Sequence, residues 1–321
     1  MSNIDLNLSH LDELNRTTAI VTGAAGGIGG EIVRLLVANG SNVVMADLAH
    51  CENDANSLIA SLPHPTRAHF VPTNITKWDQ ITTLFRTAKD KFGSVEVVIA
   101  NAGVMEKSPI LDVEKVDQHG NLAEDNEFSK VIDINIKGTM NTLRQAIFHM
   151  KDNKPTFSDG SRGSILLVSS TSGYFGGTGV TGYITSKHGV TGMLRGSQLA
   201  ASKHLLRINA VAPFVTPTAM SSGFATAWKK SGLPMNTMEA VARVIAVLAA
   251  DPLRRGSCYL TCGPIIREVE TSQKSLMGEW LGNDFVELMA SASRFFADQG
   301  GYTLPKLIAL DSSDTTGDRA K

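Results

Sequence analysis

Cysteine is scarce in this chain: Cys51, Cys258 and Cys262 are all there is, and no pair is spaced C-x-x-C. An odd set argues against a disulfide framework and fits a reducing compartment. Without matching histidine spacing, the three read as small buried apolar residues and not as metal ligands. Charge of one sign is equally lacking, since 30 lysines and arginines meet 31 aspartates and glutamates for a net charge of -1. No basic cluster stands out, so nothing electrostatic points to nucleic acid or a membrane surface as partner. No apolar run approaches the ~18 residues of a membrane span. The opening "MSNIDLNLSHLDELN" carries acidic residues and no apolar core, and does not read as a signal peptide. What remains is 42% hydrophobic and 19% charged, the make-up of a soluble globular protein of one large domain or two modest ones, expected in the cytosol.

From residue 17, short runs rich in valine and isoleucine alternate with longer helical periods. "TTAIVTG", "NVVMADL", "VEVVIANAG" and "GSILLVSS" read as strands, and "IGGEIVRLLVANG" as a helix ending at Gly40. Strands that are apolar throughout are buried on both faces, and helices between them imply right-handed crossovers and a parallel sheet. The pattern predicts a doubly wound α/β domain. Two polar stretches interrupt it, residues 105 to 127 and the Pro/Gly/Ser segment 152 to 163. The last eleven residues, "DSSDTTGDRAK", are too polar to pack and are expected to be disordered.

Two local patterns carry chemistry. "AIVTGAAGGIGGEIV" sets Gly23, Gly27 and Gly29 between the first strand and the first helix. Glycine permits the tight turn and the close approach of a pyrophosphate to the helix N-terminus, where free N–H groups bind anions. At the end of the second strand stands Asp47, a carboxylate able to accept from both hydroxyls of an adenine ribose and to repel a 2'-phosphate. No arginine stands beside it, which favours NAD over NADP; a helix-capping or exposed aspartate is the plainer alternative, and would be favoured were the glycines absent. The second pattern is "GYITSKHG", where Tyr183 and Lys187 fall one turn apart on one helix face. A fixed ammonium beside a phenol would lower its pKa from about 10 toward neutrality and make it an acid/base. Y-x-x-x-K also arises by chance, so the pair is weighed with the rest of the chain.

The T-G-x-x-x-G-x-G spacing, "NAG" at 101 to 103, Asn135 in "VIDINIKG", "SS" at 169 to 170 and Y-x-x-x-K at 183 to 187 together resemble the short-chain dehydrogenase/reductase family over about residues 16 to 270. The resemblance implies a Rossmann fold in a single domain, with residues 1 to 15 as an N-terminal extension. It implies Ser170, thirteen residues before the tyrosine, as the hydroxyl that holds the reacting oxygen, with Ser169 structural. Tyr183 is implied as the acid/base, and Lys187 as its charge partner and a ligand of the nicotinamide ribose. Asn135 is implied to hold a relay water behind the lysine, although a mid-helix amide bonded to backbone is compatible with that role. Cofactor contacts are implied at Gly23, Gly27, Ile28, Gly29, Asp47, Asn74, Ile75, Asn101, Ala102, Gly103, Tyr183, Lys187, Pro213, Thr216 and Thr218, and no metal is required. Thr185 and Ser186 are then small because the helix packs close to cofactor and a neighbouring subunit, as in the family's homodimers and homotetramers. Gly182 is read as admitting the substrate side of the ring.

The chain departs from the family in three places. Asn74 stands where an aspartate is usual near the adenine, and Pro213-Phe214 replaces Pro-Gly after the sixth strand. Residues 219 to 238 fall where the family places a substrate lid, and Met220, Phe224, Trp228 and Met235 would give it an apolar surface if they do not pack on the domain. Residues 271 to 310 form an extension in which Phe285, Leu288, Met289, Ala292, Phe295 and Phe296 share one helical stripe. That stripe must bury itself in its own subunit's core, on another subunit or across the pocket, with core packing the plain choice.

The reading that follows is an NAD-dependent oxidoreductase acting on a secondary alcohol or ketone of a bulky apolar molecule, steroid-, terpenoid- or polyketide-like, in the oxidising direction. Ser170, Tyr183, Met220, Phe224 and Trp228 are its expected substrate contacts. The alternatives are a redox-neutral isomerase, cyclase or dehydratase on the same fold, and a cofactor-sensing binding protein; the latter is disfavoured because all four catalytic residue types are present.

Overall fold

The computed structural model describes residues 4–304, so the expected disordered tail lies outside the described residues. Eight strands form one sheet in the order β3-β2-β1-β4-β5-β6-β7-β8. They are β1 (Thr18–Thr22), β2 (Asn42–Asp47), β3 (Ala68–Pro72), β4 (Val97–Ala100), β5 (Gly163–Val168), β6 (Leu206–Pro213), β7 (Cys258–Cys262) and β8 (Ile265–Glu268). All neighbours pair in parallel except β7 and β8. The central strands β1, β4, β5 and β6 are buried along their whole length, as their unbroken apolar sequences require. The antiparallel edge strand β8 carries no such run and was not legible beforehand. The fold is the expected doubly wound sheet.

The helices are α1 (Gly27–Ala38), α2 (Glu52–Ala60), α3 (Trp78–Phe92), α4 (Glu127–Ile132), α5 (Thr139–Met150), α6 (Thr181–Gly196), α7 (Gln198–Lys203), α8 (Ala225–Lys230), α9 (Met238–Ala250), α10 (Glu270–Ser275), α11 (Met277–Leu281) and α12 (Asn283–Asp298). A single π turn, Asp133–Gly138, joins α4 to α5. Two apolar clusters fill the sheet's faces, one reaching α1 and α9, the other α3, α5 and α6. The segment before β1 joins the first of these, because Leu14 is fully buried and Ile4, Leu6 and Leu11 pack against the cluster. The Ile4 N–H also donates to the carbonyl of Ile266 at 3.1 Å.

The described residues divide into compact units between Ser272 and Gln273. In the second, Gly282 at φ +84° separates α11 from α12. The apolar stripe of α12 forms as read, but no residue of the helix is buried. Within this unit the five-residue α11 and the 16-residue α12 enclose too little interior to cover it. Among the described residues no helix is long and apolar enough to cross a membrane.

Candidate functional site

Strand order reverses between β1 and β4, and the crevice at their carboxyl ends is where such sheets take ligands. The loop from Gly23 to Gly26 leaves β1 there and enters α1. Gly23 and Gly27 have φ of +65° and +58°, left-handed backbone that glycine alone adopts freely. A Cβ at Gly29 would lie 1.9 Å from the carbonyl oxygen of Gly23, so the helix start presses against the end of β1. At Gly26, by contrast, nothing lies within 4 Å of a Cβ position. The first turn of α1 has no side-chain cap and no acidic residue. An open cradle of uncapped N–H groups fits a pyrophosphate. The Asn101 amide braces the loop from β4, donating to the carbonyls of Thr22 at 3.0 Å and Gly23 at 3.1 Å. The Ala102 N–H donates to the Thr22 hydroxyl at 3.1 Å.

Asp47 ends β2 beside this loop. One carboxylate oxygen accepts from the Ala25 N–H at 3.0 Å and the other from the Leu48 N–H at 2.8 Å. These bonds tie Asp47 to the glycine loop and to its own strand end and not to a helix N-terminus, and two oxygens with about four lone-pair sites leave room for a further donor. Next to it, Leu48, Thr73, Asn74 and Gln80 line a hollow at the carboxyl ends of β2 and β3. The side-chain oxygen of Asn74 accepts from both the N–H and the hydroxyl of Thr76, at 3.0 and 2.8 Å. Ile75 packs against Gly138, where a Cβ would come within 2.5 Å of it. Ile28 is half-buried and packs against the core. Of the cysteines only Cys258 is buried; Cys51 and Cys262 are half-buried.

The chemical end lies between β5 and α6. Ser170 follows β5 and is nearly buried, donating to the Pro213 carbonyl at 3.3 Å and accepting from the Ser172 N–H at 3.2 Å. Ser169 is taken up by α6, its hydroxyl donating to the Lys187 carbonyl at 3.2 Å. Tyr183 is buried, and burial pushes its phenol above the ordinary value; a bond with the Ser170 hydroxyl pulls the other way and the Glu106 carboxylate adds to the rise. The expected fall toward neutrality is therefore not seen in this structure. Lys187 explains part of this, because its Nζ stands 5.5 Å from the ring centroid and donates to the Val168 carbonyl at 2.8 Å. Burial lowers the lysine itself to about 8.

Asn135 sits in the π turn, a wide turn that displaces its side chain from the helical register. Its amide clamps Val104 in both directions at 2.8 Å and donates to the Ser186 hydroxyl at 2.9 Å. Ser186 in turn donates to the Tyr183 carbonyl at 2.8 Å. A Cβ on Gly103 would lie 3.2 Å from Asn135 Oδ1 and 3.5 Å from Lys187 Nζ, so these three meet. Ser186 is small because Asn135 approaches it, while Thr185 is exposed. A Cβ on Gly182 would lie 2.6 Å from Cδ1 of Ile110, the tip of a side chain from the connection after β4.

Two further residues had no motif to mark them. Glu106, in the long connection after β4, accepts from the N–H groups of Gly182 and Tyr183 at 3.0 and 2.9 Å. Asn236 is buried behind the segment that follows β6, donating to the carbonyls of Phe214 and Thr261 and to the Thr216 hydroxyl, and accepting from the Gly263 N–H at 2.8 Å. Thr216 is thereby turned inward, whereas the Thr218 methyl lies 3.8 Å from a Cβ position on Gly27 and so faces the glycine loop. Phe214, in place of the expected glycine, meets the Trp228 ring edge-on at 5.3 Å. Met220 and Phe224 are exposed while Trp228 and Met235 are half-buried, so the 219–238 segment buries only part of its apolar surface.

A doubly wound sheet with an anion cradle at its switch point and a serine, tyrosine and lysine beside it defines a dinucleotide-dependent oxidoreductase. A family model described as short chain dehydrogenase matches residues 17–228, and the chain belongs to the short-chain dehydrogenase/reductase family, whose members work with a nicotinamide cofactor. It is 31% identical to the short-chain dehydrogenase/reductase ascJ of Acremonium egyptiacum, over 85% of this chain and 87% of that one. It is 32% identical to cis-4-hydroxycyclohexanecarboxylate dehydrogenase of Sinomonas cyclohexanicum, over 73% of this chain and 89% of the relative. Among solved structures, 3-hydroxyacyl-CoA dehydrogenase type-2 from Mycobacterium avium matches with a TM-score of 0.66 at 30% identity, covering 77% of this chain and 95% of that one.

Proposed function

We propose that the protein is an NAD-dependent dehydrogenase that oxidises a secondary alcohol of a bulky apolar small molecule to its ketone, in the cytosol, as a homodimer or homotetramer. The observation that carries the reading is the meeting of Ser170, Tyr183 and Lys187 at the carboxyl end of β5, next to the glycine cradle. A bound nicotinamide supplies the ring carbon that takes or gives the hydride. The glycine loop, Asn101 and Thr218 would hold the pyrophosphate side and Asp47 the adenine ribose, where its negative charge disfavours a 2'-phosphate.

The chain's own residues do the proton work. The Ser170 hydroxyl holds the reacting oxygen, and Tyr183 takes the alcohol proton in oxidation or gives it back in reduction. Lys187 contributes a positive charge within reach of the phenol, and the Asn135 clamp fixes the backbone on which both stand. The apolar substrate class is supported by the exposed Met220 and Phe224 and by the Phe214–Trp228 pair. The secondary-alcohol part of the reading is supported by a relative whose named substrate, a carboxylate, bears a hydroxyl on a cyclohexane ring.

The test is calorimetry with NAD and NADP in parallel, followed by turnover of a panel of ring-bearing secondary alcohols read at the reduced-nicotinamide absorbance band. NAD is expected to bind more tightly, and Tyr183→Phe to lose about 100-fold or more in kcat without losing NAD. A preference for NADP would overturn the role of Asp47. NAD binding with no absorbance change for any alcohol would overturn the dehydrogenase reading.

A further inference from the structure

The catalytic helix has an unusual start. Its N-cap is Val180, which has no side-chain bond to offer, yet the first turn of a helix leaves backbone N–H groups that need acceptors. They are supplied from 76 residues away, in the connection between β4 and α4. The two oxygens of Glu106 fork over the N–H groups of Gly182 and Tyr183 at 3.0 and 2.9 Å. The contact is built on both sides, because Ile110 of the same connection fills the space above Gly182 that any side chain there would occupy. Tyr183, the residue whose N–H is held, is the proposed acid/base.

Resting on that reading, we infer that Glu106 is a positioning residue for Tyr183, capping the helix that carries it and placing a fixed anion at the end where the helix dipole is positive. A bare N-terminus would favour the phenolate, and a carboxylate in the first turn offsets that field. The groups with charge or titration around the phenol are Lys187 on its own helix and Glu106 from the connection, with the Ser170 hydroxyl facing it from the end of β5. Glu106 thus holds the phenol protonated to higher pH, while Lys187 works in the opposite sense. It also ties the position of the acid/base to the long connection, so movement of residues 105 to 127 would reach the chemistry through one carboxylate.

The test is an ultraviolet titration of the phenolate band. Wild type is compared with Tyr183→Phe, and Glu106→Gln with the same variant carrying Tyr183→Phe, so that each difference isolates Tyr183. The amide keeps the side chain's shape but has one acceptor and no charge. The Tyr183 midpoint is expected to fall in Glu106→Gln, and the acidic limb of kcat/KM for alcohol oxidation to move the same way. The plateau is expected to drop on the order of tenfold as the first turn loosens. A variant that melts lower or turns over more slowly with the Tyr183 midpoint unmoved or raised overturns the inference. Full turnover in Tyr183→Phe would overturn the assignment of the acid/base and leave the titration result standing.

Discussion

Replacing Lys187 by methionine should make the protein more stable at neutral pH while abolishing its turnover. The ammonium is buried beneath the crevice with one bond, to the Val168 carbonyl. Burial lowers its pKa from 10.5 to about 8. At about 1.4 kcal/mol per pH unit, that difference opposes folding by on the order of 3 kcal/mol wherever the group is charged in both states. Methionine removes this penalty and fills a similar volume, and losing the donor to Val168 costs back about 1–2 kcal/mol. The expected net gain at pH 7 is about 1–2 kcal/mol.

The sign with pH follows from the lowered value. Between about 8 and 10.5 the unfolded chain holds a proton that the folded chain has released, so wild-type stability rises with pH across that window and the variant's advantage shrinks. Below pH 8 the penalty is fully present, and above 10.5 it is gone. Urea denaturation of both proteins at pH 7, 8, 9 and 10 measures the difference, with titrations common to the two cancelling. A stability difference that stays constant across this range would refute the argument. It would mean that the lysine keeps its ordinary value in the folded protein because its charge is solvated.

Gly29→Ala places a methyl group 1.9 Å from the Gly23 carbonyl, so the loop must rebuild. Calorimetry should show a loss of at least about 100-fold in dinucleotide affinity, worth roughly 2.7 kcal/mol. Asn236→Ala leaves buried partners around Phe214, Thr261 and Gly263 unsatisfied and releases the segment bearing Thr218. A destabilisation of about 2–3 kcal/mol in urea and a raised KM for the cofactor are expected.

Residue types with strict local requirements were readable before any coordinates. Unbroken valine and isoleucine runs specify strands buried on two faces, and the glycines specify a turn with left-handed backbone, because neither depends on distant parts of the chain. The i, i+4 spacing put Tyr183 and Lys187 on one helix face for the same reason. What the spacing could not convey was the environment, and environment sets the pKa. Burial raises the phenol and lowers the ammonium, whereas the pair in isolation suggested a phenol drawn toward neutrality. Glu106 was invisible because a lone glutamate in a polar connection carries no periodicity. Only the path of that connection back over α6 brings it to Tyr183. Gly182 was visible as a glycine but not as the seat of Ile110, and Asn236 was one amide among many until the chain closed around it. The sequence by itself determined the doubly wound sheet and its glycine turn, through backbone rules that act over a few residues, and its resemblance to the family pointed to the candidate reacting groups. The tertiary structure decided their charge states and supports, because desolvation and long-range hydrogen bonds exist only after residues far apart in the chain have been brought into contact.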